Sequence, residues 1–269
     1  MKKKSDSPDV AEHPIAKFLL SHYQPLWTQE SKLKAGEVLK LDQADWCMWN
    51  SAKGFFRLIA HLSKLDQCLY YLKLKGPVGR VRRNDYTYIT ETNWIEYNIG
   101  YYYTLHRSIY DCMLWFIHNS LGLQIEVGPG FETKLMKQLE KWPNLEIIVP
   151  LKSLKMDCDK YKDTRNEHVH RGSYVRSSPI MGNLNLDRFM VYMSLNEVFE
   201  RMNLKSMVPP DGLDPVAFMR VLRADVTEEL INQINVTHSL VCKCLDSIHR
   251  YLVGYIAFCE EHTEKTTTE

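Results

Sequence analysis

The chain has 269 residues, 45% of them hydrophobic and 25% charged, with Lys+Arg 34 against Asp+Glu 33. These fractions are those of a globular protein, and they exclude a disordered chain, which would be poorer in apolar residues and further from neutrality. A net charge of +1 gives no global attraction to nucleic acid or to a membrane surface, so a basic face has to come from local clustering.

The cysteines are Cys47, Cys68, Cys112, Cys158, Cys242, Cys244 and Cys259. Their number is odd, no CxxC occurs, and most sit in apolar, helix-like segments. That pattern reads as buried free thiols in a reducing compartment. Cys242 and Cys244 are two apart, about 200° around a helix, so no shared metal is expected there. No apolar run approaches the ~18–20 residues of a membrane span. The basic, then polar start MKKKSDSPDV lacks the apolar centre of a secretory signal. A cytoplasmic protein without a membrane partner is expected.

The first ten residues and the tail from about Thr263 read as frayed ends. Asp42 to Leu74 repeats Trp46, Trp49, Phe56, Ile59, Leu62, Leu69 and Leu72 at helical spacing, with Asp45 or Asp42 as the cap and Gly76-Pro77 as the stop. Val78 to Thr90 carries Arg80, Arg82 and Arg83 beside Tyr86 and Tyr88. It reads as a loop or a short hairpin, either a solvated linker or a grip for RNA backbone with a stacked base.

Glu91 to Leu121 reads as a long helix stopped by Gly122, apolar all round from Cys112 to Ile117 and so buried on more than one face. Phe131 to Trp142 is a short amphipathic helix between Gly128-Pro129-Gly130 and Pro143. Leu145 to Arg171 is helical with an interruption near Pro150 and a cap at Gly172. Leu186 to Asn203 is helical, and Pro209-Pro210-Asp211-Gly212 is a break. Asp214 to about His262 repeats Leu230, Ile234, Val241, Leu245, Ile248, Leu252, Tyr255 and Cys259, a stripe that is either core or a dimer seam. The expected fold is all-α, an up-and-down helical bundle over 77–269 preceded by a helical extension over 1–76.

The densest chemistry lies at Arg165-Asn166-Glu167-His168-Val169-His170-Arg171. On a helix Asn166 and His170 share a face, and Arg165 and His168 share the neighbouring one. Arg165 and His170 stand about 140° apart and flank one groove edge. A histidine in the last turn of a helix feels its negative end, which favours the imidazolium. Near neutrality such a group serves as general acid or base. An arginine beside it can neutralise a phosphate. These are the parts for cleaving a phosphodiester without a metal. His168 and His170 point about 200° apart on a helix and match no zinc signature, so neither a metal nor any other cofactor is expected. No P-loop, G-x-G-x-x-G, G-x-S-x-G or H-E-x-x-H occurs.

Arg165-Asn166-x-x-x-His170 resembles the R-(N/H/D)-x-x-x-H signature of the HEPN superfamily. The preceding helix, closing on Asn119-Ser120-Leu121-Gly122-Leu123, and the aromatic-rich stretch with Tyr101-Tyr102-Tyr103, Arg107 and Asp111 are similar to that family as well. The resemblance covers roughly Glu91 to His262. It implies a helical bundle that forms a homodimer with two motif helices facing across a cleft. It further implies a metal-independent endoribonuclease of the toxin or defence kind, with RNA as substrate and an antitoxin or regulatory protein as a further partner. Arg165 and His170 would be the catalytic pair and Asn166 their polar support. From the residues themselves, Arg80, Arg82, Arg83 and Arg171 are candidates to hold RNA, and His168, Asp111 and Asn119 to stand behind the site, with Arg107 and Asp111, four apart, either a buried pair holding the bundle or an anchor that orders the motif helix. The family also contains members that bind a nucleotide, RNA or a protein without cleaving. A non-catalytic helical module is the other reading, and in it His170 only completes a helix end.

Overall fold

The computed structural model describes residues 10–35, 37–74, 79–80, 88–89, 91–160, 162 and 215–266. Among them are six α-helices: α1 Pro14–Glu30, α2 Gln43–Lys73, α3 Glu91–Ser120, α4 Phe131–Leu139, α5 Ile148–Asp159 and α6 Pro215–Thr266. Single 3-10 turns occupy Val10–Glu12 and Pro143–Leu145. The fold is an all-α helical bundle. Its only strands among the described residues are two-residue pieces: β1 Gly79–Arg80 pairs antiparallel with β2 Tyr88–Ile89, Arg80 opposite Tyr88. The pairing agrees with the hairpin reading of that segment, and residues 81–87 between the two strands lie outside the described residues.

Local chemistry sets the helix ends. Asp42 caps α2: the Asp45 backbone N–H donates to Asp42 Oδ1 at 2.7 Å, satisfying an N–H that has no partner inside the helix. The end of α3 is a Schellman closure. Gly122 adopts φ +58°, its N–H donates to the Asn119 carbonyl at 3.2 Å, and the Leu123 N–H donates to the His118 carbonyl at 3.1 Å. In α1 the cap is a histidine. His13 Nδ1 accepts from the Ile15 N–H at 3.2 Å, so Nε2 carries the proton and donates to Asp246 on α6 at 3.1 Å. α5 begins at Ile148 rather than Leu145. Pro150 sits in its first turn, where a missing N–H costs nothing, so it helps start this helix and does not interrupt it.

The chain forms two compact units. The first comprises 1–62, 108–157 and 235–269, and the second 63–107 and 158–234. Residues 1–62 thus share a unit with parts of α3 to α6, while Gly76 lies outside the described residues. The first core gathers Leu19, Leu58, Phe116, Leu135, Leu151 and Leu245, each fully buried. The second gathers Leu65, Leu72, Tyr102, Tyr103 and Leu230. Each such side chain contributes on the order of 1.5–3 kcal/mol on leaving water. Along α6 the apolar stripe is core from Leu230 to Leu252, and only Tyr255 and Cys259 are half-exposed.

Gly54, in the middle of α2, marks a close approach. A Cβ there would lie 3.1 Å from the Phe116 Cα on α3. Helix propensity favours replacing it by about 1 kcal/mol, and the backbone contact opposes that. Gly54→Ala is therefore expected to be close to neutral. Gly54→Val adds bulk against backbone that cannot rotate away and should lose about 1–3 kcal/mol. Urea unfolding followed by circular dichroism separates the two outcomes.

All seven cysteines are free, and five are buried. Burial pushes the thiols of Cys68 and Cys244 up to about 12, far from the reactive thiolate. The half-buried Cys242 and Cys259 should therefore be alkylated first in the native protein. Cys47, Cys68, Cys112, Cys158 and Cys244 should react only on unfolding, as read by mass spectrometry of the labelled peptides.

Candidate functional site

Arg165, Asn166, His168, His170 and Arg171 lie outside the described residues, as do Arg82, Arg83, Gly172, the stretch expected to be helical at 186–203 and the break at 209–212. The structure thus describes what leads to the motif and leaves the motif itself to the sequence. α5, the helix directly before it, buries Leu151, Leu154 and Cys158 along one side. Three contacts tie its end and the residue after it. The Thr237 hydroxyl donates to Asp157 at 2.7 Å. In the second unit Asp159 faces Arg107 of α3 at 3.1 Å, and Lys160 donates to Gln233 at 3.3 Å.

The supporting residues divide. Asn119 sits half-buried in the last turn of α3, where its carbonyl accepts from Gly122. Asp111 is exposed on α3, and Arg107 meets Asp159 of α5. In the Tyr101-Tyr102-Tyr103 run, Tyr102 and Tyr103 are fully buried and Tyr101 stacks on Tyr97, centroids 6.2 Å apart, at the surface. Arg80 belongs to β1.

His118 lies between the edges of Trp115 and Phe131, with centroids at 5.9 and 5.4 Å. The end of α3 would raise its pKa, but burial lowers it, and desolvation wins. A histidine depressed in the folded state binds more protons when unfolded. The stability it contributes is therefore complete at neutral pH and is lost as the pH falls below about 6.5, the unfolded value. His118→Gln should flatten the fall in melting temperature between pH 7 and 5, while leaving the neutral value less affected.

Among the cavities of the described surface, two share one ring of α6. The first, about 540 Å³, is lined by Lys141, Trp142, Asn144, Glu146, Arg250 and Tyr251 among others. The second, about 460 Å³, is lined by Gln43, Trp46, Gln124, Tyr251 and Tyr255 among others. Tyr251 belongs to both. Its ring lies 5.7 Å from Trp142 and 6.0 Å from Tyr255, nearly parallel to the latter at 9°. Glu146 holds a left-handed φ of +52°, the one non-glycine to do so among the described residues, and its carboxylate accepts from Arg250 at 3.1 Å. Sequence reading missed this face because it joins residues about a hundred positions apart. The available signal was the i,i+4 pair Tyr251/Tyr255 beside Arg250. Comparison with protein-family models, curated proteins and solved structures finds no match to this chain.

Proposed function

We propose that the protein is a metal-independent endoribonuclease of HEPN type. The observation that carries this is the Arg165-Asn166-x-x-x-His170 motif, which begins six residues after the end of α5 in a chain whose described residues form an all-α bundle. In the proposed reaction the RNA 2′-oxygen attacks the adjacent phosphorus as its proton passes to a general base. The bond from phosphorus to the 5′-oxygen breaks, and a general acid protonates that oxygen. The products are a 2′,3′-cyclic phosphate and a 5′-hydroxyl. His170 fills the acid or base role, and Arg165 stabilises the extra charge on the phosphoryl oxygens. Asn166, on the His170 face, orients the ring or a substrate oxygen. One chain supplies one histidine, so two motifs across a homodimer cleft complete the acid–base pair.

The test is incubation of mixed RNA with the folded dimer in EDTA, with end-group analysis of the products. Cyclic phosphate ends, with DNA left intact, support the reading. An intact substrate under these conditions, from a dimer that binds RNA, favours the non-catalytic helical module instead.

A further inference from the structure

The two cavities beside Tyr251 have no role in the reaction above. Each lies within the ~300–1,000 Å³ that small-ligand sites occupy. Each combines a flat ring with a side-chain amide: Trp142 with Asn144 in one, Tyr255 with Gln124 in the other. An amide offers a donor and an acceptor side by side, the pattern on the edge of a base. Rings give stacking faces that accept any base. Cations stand only at the first cavity, where Lys141 and Arg250 line the wall.

Arg250 pairs with Glu146, but their side chains are 65% and 69% exposed. An ion pair that open is worth little, so a phosphate displaces the carboxylate from Arg250 at small cost. A duplex hides the faces and the Watson–Crick edges of its bases, whereas a single strand presents both.

We propose that this face of α6 is a binding site for single-stranded RNA, with one base entering each of the two cavities that share Tyr251 and the phosphate at the first cavity held by Arg250 and Lys141. The site takes RNA as its ligand, as the function proposed above does, but it lies apart from the Arg165–His170 motif in sequence and holds the strand without cutting it.

The experiment is fluorescence anisotropy of the full-length protein with a labelled 2′-O-methyl RNA strand, which lacks the attacking hydroxyl and cannot be cleaved. The strand should bind at least about tenfold more tightly than its duplex. Tyr251→Leu should weaken binding by about tenfold, the loss of a stacked base. Arg250→Gln, at an exposed position that tolerates the change, should weaken it and lower the salt dependence by about one phosphate contact. Equal binding by wild type and both folded variants overturns the site, as does no binding, or a duplex bound as tightly as the strand. Cleavage by wild type with unaltered binding in the variants removes this site and leaves the ribonuclease. Weakened binding in the variants with no cleavage of ordinary RNA removes the ribonuclease and leaves this site.

Discussion

His170→Ala is expected to lower the rate of RNA cleavage in EDTA by about 10²–10⁴-fold, the range for losing a positioned general acid or base. The comparison has to be made at equal dimer fraction, because each proposed cleft draws on both chains. Arg165→Ala should cost a similar amount through a different step. It leaves proton transfer intact and removes a cation that is worth most where charge develops on the phosphoryl oxygens. Arg165→Lys keeps the charge but not the forked geometry, so it should recover only part of the rate. The two alanine variants differ in binding. A substrate that cannot be cut should bind the histidine variant as it binds wild type, and should bind the arginine variant more weakly. An active His170→Ala enzyme would remove the proposed mechanism outright.

Phe116→Ala is expected to cost about 3–5 kcal/mol of stability, as large-to-small changes of buried aromatics do. Phe116 is fully buried in the first unit. Its ring lies 6.1 Å from that of Phe55, and its backbone meets Gly54. The close approach at Gly54 sets how near α2 and α3 come, and that approach hinders collapse around the space left by the ring. The cost therefore belongs at the upper end of the range. Folded domains hold only about 5–15 kcal/mol in total, so this one change removes a third or more of a typical reserve. Urea titration should show a lower midpoint with an unchanged slope.

The helix ends were the most legible part of the chain. Asp42 to Leu74 was expected and Gln43–Lys73 is found; Glu91 to Leu121 was expected and Glu91–Ser120 is found. Both rest on local devices, an aspartate cap and a glycine able to take a positive φ, and these act within a few residues. α1 was expected only as an unspecified helical extension. Pro25 lies inside it and breaks its pattern, and its buried face is the sparse set Ile15, Ala16, Leu19 and Leu26. Pairings between distant helices were not legible. Nothing near Arg107 points to Asp159, and nothing near His13 points to Asp246, because those partners meet only after the helices pack. The same applies to the Tyr251 face. The chemistry of residues 165–171 was legible as residue types at fixed spacing.

Glu132 on α4 closes a small circuit. It accepts from the Tyr110 hydroxyl of α3 at 3.1 Å and faces the Lys155 ammonium of α5 at 3.2 Å, while that ammonium lies 5.5 Å from the centre of the Tyr110 ring. Each link of the circuit is weak where water reaches it, but two of the three run through one carboxylate. A single negative charge therefore acts as a common rivet for three helices, the last of which leads toward Arg165. Changing that charge alone is a way to loosen the helix that precedes the motif while the motif's own sequence is left unaltered.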